Sequence, residues 1–270
     1  MSGYPVYEFP EAMEVMVVGD VHGEFSSLVY KLCTQYQMRN TLLIVAGDCG
    51  FGSGKLALYE QMVKKNSKHM AASNNWIVFV RGNHDNPAYF DGKVFVKKRF
   101  LAVPDYSVIH ACGHRILCVG GATSVNRIPL QEEYDMKVRY DLSLKLNTDP
   151  LLPKLYWENE APVYNEALVN QICEKEWINI VVTHTAPSGC YPFKKGIAAH
   201  YAEYDKTLLA DIEQERAVMD KLLDRLLAKG MPINWWYYGH FHESKFCNWK
   251  GVSFKLLDVL EMTNVPRRFV

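Results

Sequence analysis

The stretch "WIVFVRGNHDN", residues 76–86, decides how the chain is read. Its first five residues are aromatic or branched and apolar throughout, the pattern of a strand covered on both faces. The run then breaks at Arg81 and Gly82 into Asn83, His84 and Asp85. A turn explains the glycine and the asparagine. It does not explain a histidine and an aspartate in the same four positions.

Working outward, the same grammar recurs. "EVMVVGDVHGE" (14–24) places Asp20 and His22 just past an apolar run, and "TLLIVAGDCG" (41–50) does so for Asp48. "INIVVTH" (178–184) ends on His184, and "INWWYYGHFH" (233–242) on His240 and His242. Between these strands lie helical patterns. Phe25, Leu28, Leu32 and Tyr36 share one spacing in 24–36, and 55–70 continues it. Leu208, Ile212, Met219, Leu222 and Leu226 form a stripe along 205–230, with Asp205 or Thr207 as N-cap and Gly230 past its end. Buried strands alternating with helices predict an α/β fold with a largely parallel sheet.

The spacing further predicts two strands in 106–121 turning at Cys112–Gly113, a helix near 163–177, and strands at 245–250 and 252–260. Residues 122–162, with Pro129, Pro150, Pro153 and Pro162, read as an irregular insertion carrying one or two short helices. Residues 185–204 read as a surface loop. One domain over 1–270, with insertions at about 122–162 and 185–204, is expected.

Ligands collect at the carboxyl ends of strands in open α/β sheets. Five such ends supply two aspartates, one asparagine, four imidazole ligands and a spare histidine. That set is too large for one ion and suits two. Oxygen and imidazole donors without thiolate favour divalent manganese, iron, zinc, nickel or cobalt over a structural cysteine site. A metal pair about 3.5–4 Å apart can share a hydroxide and clamp a phosphoryl group during in-line displacement. Hydrolysis of a phosphate ester is the expected chemistry.

The ordered motifs Asp20-x-His22, Gly47-Asp48, Gly82-Asn83-His84-Asp85, Thr183-His184 and Gly239-His240-x-His242 resemble those of the calcineurin-like metallophosphoesterase superfamily over residues 16–242. The resemblance implies a four-layer α/β/β/α sandwich, two mixed β-sheets flanked by helices. It implies a first metal on Asp20, His22, Asp48 and His242. It implies a second on Asp48, Asn83, His184 and His240, with Asp48 bridging. His84 then protonates the leaving oxygen or steadies transition-state charge, and Asp85 orients His84 through a hydrogen bond. Protein serine/threonine phosphatases of the superfamily carry G-D-x-x-D-R-G and G-N-H-E; "GDCGFGS" and "GNHD" here count against that branch. A phosphomono- or phosphodiester, small or nucleotide-like, is the expected substrate. A nuclease or RNA-processing phosphodiesterase and a non-catalytic scaffold are the alternatives.

Other features bound the reading. Lys plus Arg equals Asp plus Glu at 30 each, so no net charge draws the chain to nucleic acid or an anionic membrane; "KVFVKKRF" (93–100) is the one dense basic stretch. Arg127, after a Gly-Gly turn, could reach a phosphate, against the weightier reading of a surface role. His69, His110, His114 and His200 lack ligand company. Seven scattered cysteines (33, 49, 112, 118, 173, 190, 247), odd in number and without CxxC, predict reduced thiols in a cytoplasmic protein. No signal peptide or membrane span is expected.

Overall fold

The strand Thr41–Ala46 is buried at all six positions, and its side chains alternate between two cores. Leu43 and Val45 pack with one cluster, Leu42, Ile44 and Ala46 with another. Period two then dictates layers: helices lie beyond the first cluster and a second sheet beyond the other.

The coordinates are a computed structural model that describes residues 3–141, 147, 149–192 and 195–267. Its strands are, in chain order, β1 (Val6–Phe9), β2 (Glu14–Val18), β3 (Thr41–Ala46), β4 (Trp76–Val80), β5 (Val96–Lys97), β6 (Phe100–Ala102), β7 (Ser107–Ala111), β8 (His114–Val119), β9 (Ile180–Thr183), β10 (Trp235–Tyr238), β11 (Lys245–Trp249), β12 (Val252–Leu256) and β13 (Met262–Asn264). The helices are α1 (Phe25–Tyr30), continued by a π-helical turn at Lys31–Gln35, then α2 (Leu56–Ala72), α3 (Arg127–Tyr140), α4 (Glu166–Lys175), α5 (Lys195–Ala202) and α6 (Leu208–Ala228).

One mixed sheet runs β13-β2-β3-β4-β6-β5 and the other β1-β7-β8-β9-β10-β12-β11. Between them, Val15 and Val17 of β2 meet Ile109, Ile116, Ile180, Val182 and Tyr237. The outer face of the first sheet carries α1 and α2 through Phe25, Leu28, Tyr59 and Met62. The outer face of the second carries α4 and α6 through Val169, Ile172, Met219, Leu222 and Leu226. This is the expected arrangement of two mixed sheets flanked by helices. No helix among the described residues is long and apolar enough to cross a membrane.

Four differences from the sequence reading have physical causes. β1, β6 and β13 are short edge or joining strands whose period is too brief to register. Among its described residues the insertion 122–162 carries a long helix, α3, with no buried residue; its amphipathic signal is weak because it has no core face. Within 185–204 the chain forms α5 despite Gly196, since Ala198 and Tyr201 pack on Leu208 and Ile212 of α6. Residues 142–146 and 148 of the first segment, and 193–194 of the second, lie outside the described residues. Finally, Cys190 and Cys247 form a disulfide with Cα atoms 6.1 Å apart, while Cys33, Cys49, Cys112, Cys118 and Cys173 are free. Spacing in sequence cannot reveal a pair joined by a loop and a distant strand, and the pair removes the cysteine-based ground for a cytoplasmic location.

Candidate metal centre

β2, β3 and β4 run parallel with Val18 opposite Val45 and Ala46 opposite Val80, so their C-terminal loops emerge side by side. β9 and β10 are likewise parallel, with Val182 opposite Tyr237. The two sheets are joined at this end. The Ala46 carbonyl can only accept, so His184 Nδ1, 2.8 Å away, donates to it. That fixes the proton on Nδ1 and turns Nε2 toward Asn83 Oδ1 (2.9 Å) and Asp48 Oδ1 (3.2 Å).

The backbone here is unusual. His22, Asp48, His240 and His242 all have positive φ, from 43° to 72°. Such conformations are uncommon for residues with a Cβ and persist where the surroundings over-determine them. Gly82 and Gly239 supply the room. A Cβ at Gly82 would overlap the backbone and carboxylate of Asp48, and one at Gly239 would strike the Asp20 carboxylate.

Two sets of donors result, with Asp48 in both. Donor atoms of Asp20, His22, Asp48 and His242 all lie within 4.8 Å of one another. His242 Nε2 is 3.0 Å from both Asp20 Oδ2 and His22 Nε2. Asp20 is fully buried; Oδ1 accepts the His240 backbone N–H at 2.9 Å, while Oδ2 faces the imidazole nitrogens of His242 (3.0 Å) and His22 (3.8 Å). A buried carboxylate oxygen facing converging imidazole nitrogens fits a cation. In the second set, Asp48, Asn83 and His184 meet as above, and the His240 ring lies 5.0 Å from that of His184.

The electrostatics agree. Burial works to raise the Asp48 pKa, but His184, His84 and His22 outweigh it and hold the carboxyl well below its usual range. Burial works to lower His184, yet Asp48 and Asp20 push it up to about 9. Burial, helped by His184, keeps His240 neutral. The carboxylates form an anionic nest that draws positive charge.

The family profile described as calcineurin-like phosphoesterase matches residues 13–244. The chain belongs to the calcineurin-like phosphoesterase family. It is accordingly a metal-dependent hydrolase of phosphoric esters. Among solved structures, the protein TT1561 of Thermus thermophilus is similar at TM-score 0.50 and 11% identity, covering 95% of this chain and 100% of its own. A dimetal phosphatase from Danio rerio has TM-score 0.45 and 10% identity over 93% and 88% of the two chains. Phosphopantetheinyl hydrolase from Mycobacterium tuberculosis has TM-score 0.39 and 14% identity over 96% and 91%. No curated protein matches the sequence significantly.

Within this phosphoesterase two expected residues have other partners. Asp85 does not bond the His84 ring. Its Oδ2 accepts the Cys49 and Gly82 amides (2.9 and 2.8 Å), and its Oδ1 those of Gly50 and Phe51 (2.8 and 2.9 Å). Four N–H donors saturate the carboxylate, so Asp85 ties the 49–51 loop to the 82–85 loop. Arg127 is turned away from the donors: Nε lies 2.5 Å from Asp205 Oδ2 and Nη2 2.6 Å from Asp211 Oδ2.

The sequence reading missed the residues underneath. Asn83 Nδ2 donates to Ser124 Oγ at 2.8 Å, which sets the amide with its oxygen toward His184. Ser124 in turn donates to Glu160 from Oγ (2.7 Å) and from its amide (2.6 Å). Glu160 is 2% exposed, and burial pushes its pKa up to about 8. Arg81 holds this segment by donating to the Glu160 carbonyl (2.5 Å) and to Asp105 (2.9 Å). Glu215, inward on α6, accepts the Thr123 amide at 2.6 Å and the Thr185 hydroxyl beside His184. One signal was present: Glu215 falls in the apolar stripe of 205–230, where an acid needs partners.

Proposed function

We propose that Asp20, His22, Asp48 and His242 hold one divalent cation, and Asp48, Asn83, His184 and His240 a second, with Asp48 shared. The reading rests on one observation: Asp20, His22, Asp48 and His242 bring their donor atoms within 4.8 Å of one another around a buried Asp20 carboxylate, with Asn83, His184 and His240 beside them. Manganese suits these donors, with iron, zinc, nickel and cobalt as competitors. Two such cations would supply an activated water for in-line displacement at phosphorus and would neutralise phosphoryl charge.

The chain's own residues do the rest. Asp48, Asn83, His84, His240 and His242 line one cavity, so a phosphoryl group entering it meets all five. The His84 amide donates to Asp48 Oδ1 at 2.9 Å, which locks its backbone to the centre. No side chain among the described residues hydrogen-bonds its ring. His84 is therefore free to give a proton to the departing oxygen. Asp85 contributes by holding the two loops together. The substrate is a phosphomono- or phosphodiester, small or nucleotide-like, and residues 1–270 act as one catalytic unit.

Manganese-loaded protein should hydrolyse p-nitrophenyl phosphate or its bis ester and lose that activity to a chelator. His84→Asn should lower kcat by about 10²–10⁴-fold, with metal content unchanged by elemental analysis. Protein that binds two ions and turns over neither ester would instead be a scaffold.

A further inference from the structure

The cavity at the centre holds about 350 Å³ and has two unlike walls. One is the set of donors and His84. The other is built from Val125, Tyr191, Ile197, Tyr201, Ile212 and Phe241. Ile197 is half exposed at the rim of this wall, which leaves an apolar surface without cover. Apolar surface beside charged donors has no use in holding a phosphoryl group.

The aromatic rings of that wall are fixed in place. Tyr191 and Phe241 meet edge to face with centroids 4.8 Å apart. The Arg216 guanidinium lies 5.4 Å from the Tyr191 ring centre. Tyr201 packs with Val125, Tyr191, Ala198, Leu208 and Ile212. Rings held this way bind a flat apolar group with little further loss of side-chain freedom.

Among the described residues no lysine or arginine lines the cavity. Arg127 is taken by Asp205 and Asp211, and Arg216 by the Tyr191 face.

We infer that the substrate carries a phosphoryl group joined to an apolar, ring-bearing alcohol, with Tyr201 and Ile197 selecting the ring. This rests on the catalytic reading above and names its substrate class. Against Val125, Ile197, Ile212 and Phe241 the hydroxyls of a sugar would find no partner.

The test compares 2-phenylethyl phosphate with ethyl phosphate on manganese-loaded protein. Both release simple alcohols of similar basicity, so intrinsic reactivity is matched. The ring should raise kcat/KM by about tenfold or more. Tyr201→Ala and Ile197→Ala should each raise KM for the phenylethyl ester more than for ethyl phosphate, with metal content unchanged. Equal kcat/KM for the two esters, or equal effects of the variants on both, overturns the inference. Calorimetry with 2-phenylethylphosphonate and ethylphosphonate separates the two readings. Tighter binding of the phenyl compound with neither ester turned over defeats the catalytic reading and keeps the ligand class. Equal binding defeats the ligand class.

Discussion

The floor and the cover of the cavity are built by opposite rules. The floor consists of short loops whose backbones sit in the left-handed region, and Asp85 binds two of them together through four amides. The cover comes from 122–162 and 185–204, where α3 buries no side chain and α5 is held mainly by apolar packing and a disulfide behind it. The floor fixes donor atoms to within fractions of an ångström because the chemistry requires it. The cover has only to present a surface, so its chain path tolerates more change.

A single methyl group should expose that difference most. In Gly82→Ala the new Cβ meets buried Asp48 with no flexible neighbour to yield. The expected cost is about 3 kcal/mol or more, with metal binding impaired together with the fold. A variant with wild-type melting temperature and metal content would show that the floor is looser than its contacts imply.

At the cover, Cys247→Ser removes a link between residues 57 apart in sequence. Loop-closure entropy sets the loss at about 2–4 kcal/mol, read as a lower melting temperature that reductant reproduces in the wild type. Since Cys190 adjoins Tyr191, KM should rise while kcat and metal content hold. Loss of kcat alone would place the disulfide with the floor.

The smallest effect concerns the support beneath Asn83. Folded Glu160 keeps its proton up to about pH 8, against a usual value of 4.5. Its raised pKa therefore favours the fold fully below pH 4.5, and that contribution is lost as pH rises toward 8. Melting temperature should decline across this window, and Glu160→Gln should flatten part of the decline; Glu215 and Asp85, raised in the same direction by burial, contribute to the remainder. An unchanged slope would mean that Glu160 ionises freely.

The same contrast explains what the sequence made legible. Asp20, Asp48, Asn83, His184 and His240 each follow a buried strand, so period two and a trailing polar residue located them. The donor motifs lie in an order that a family resemblance could carry. Ser124 follows a strand and Gly120-Gly121 in the same way, but a lone serine carries no metal signal. Glu160 sits in a proline-containing segment without periodicity, and only tertiary structure brings it under Ser124. Asp85 misled for a related reason: its neighbour His84 suggested a side-chain pair, whereas the sharp turn aims its carboxylate at amides of another loop. α5 and the Cys190–Cys247 pair depend on contacts with α6 and β11 that no local pattern encodes.

Anomalous scattering from manganese-soaked crystals tests the central claim most directly. The account predicts two peaks per chain about 3.5–4 Å apart, with an Asp48 oxygen between them, Asp20 on one and His184 on the other. A single peak, or a pair with Asp48 on neither ion, would contradict it.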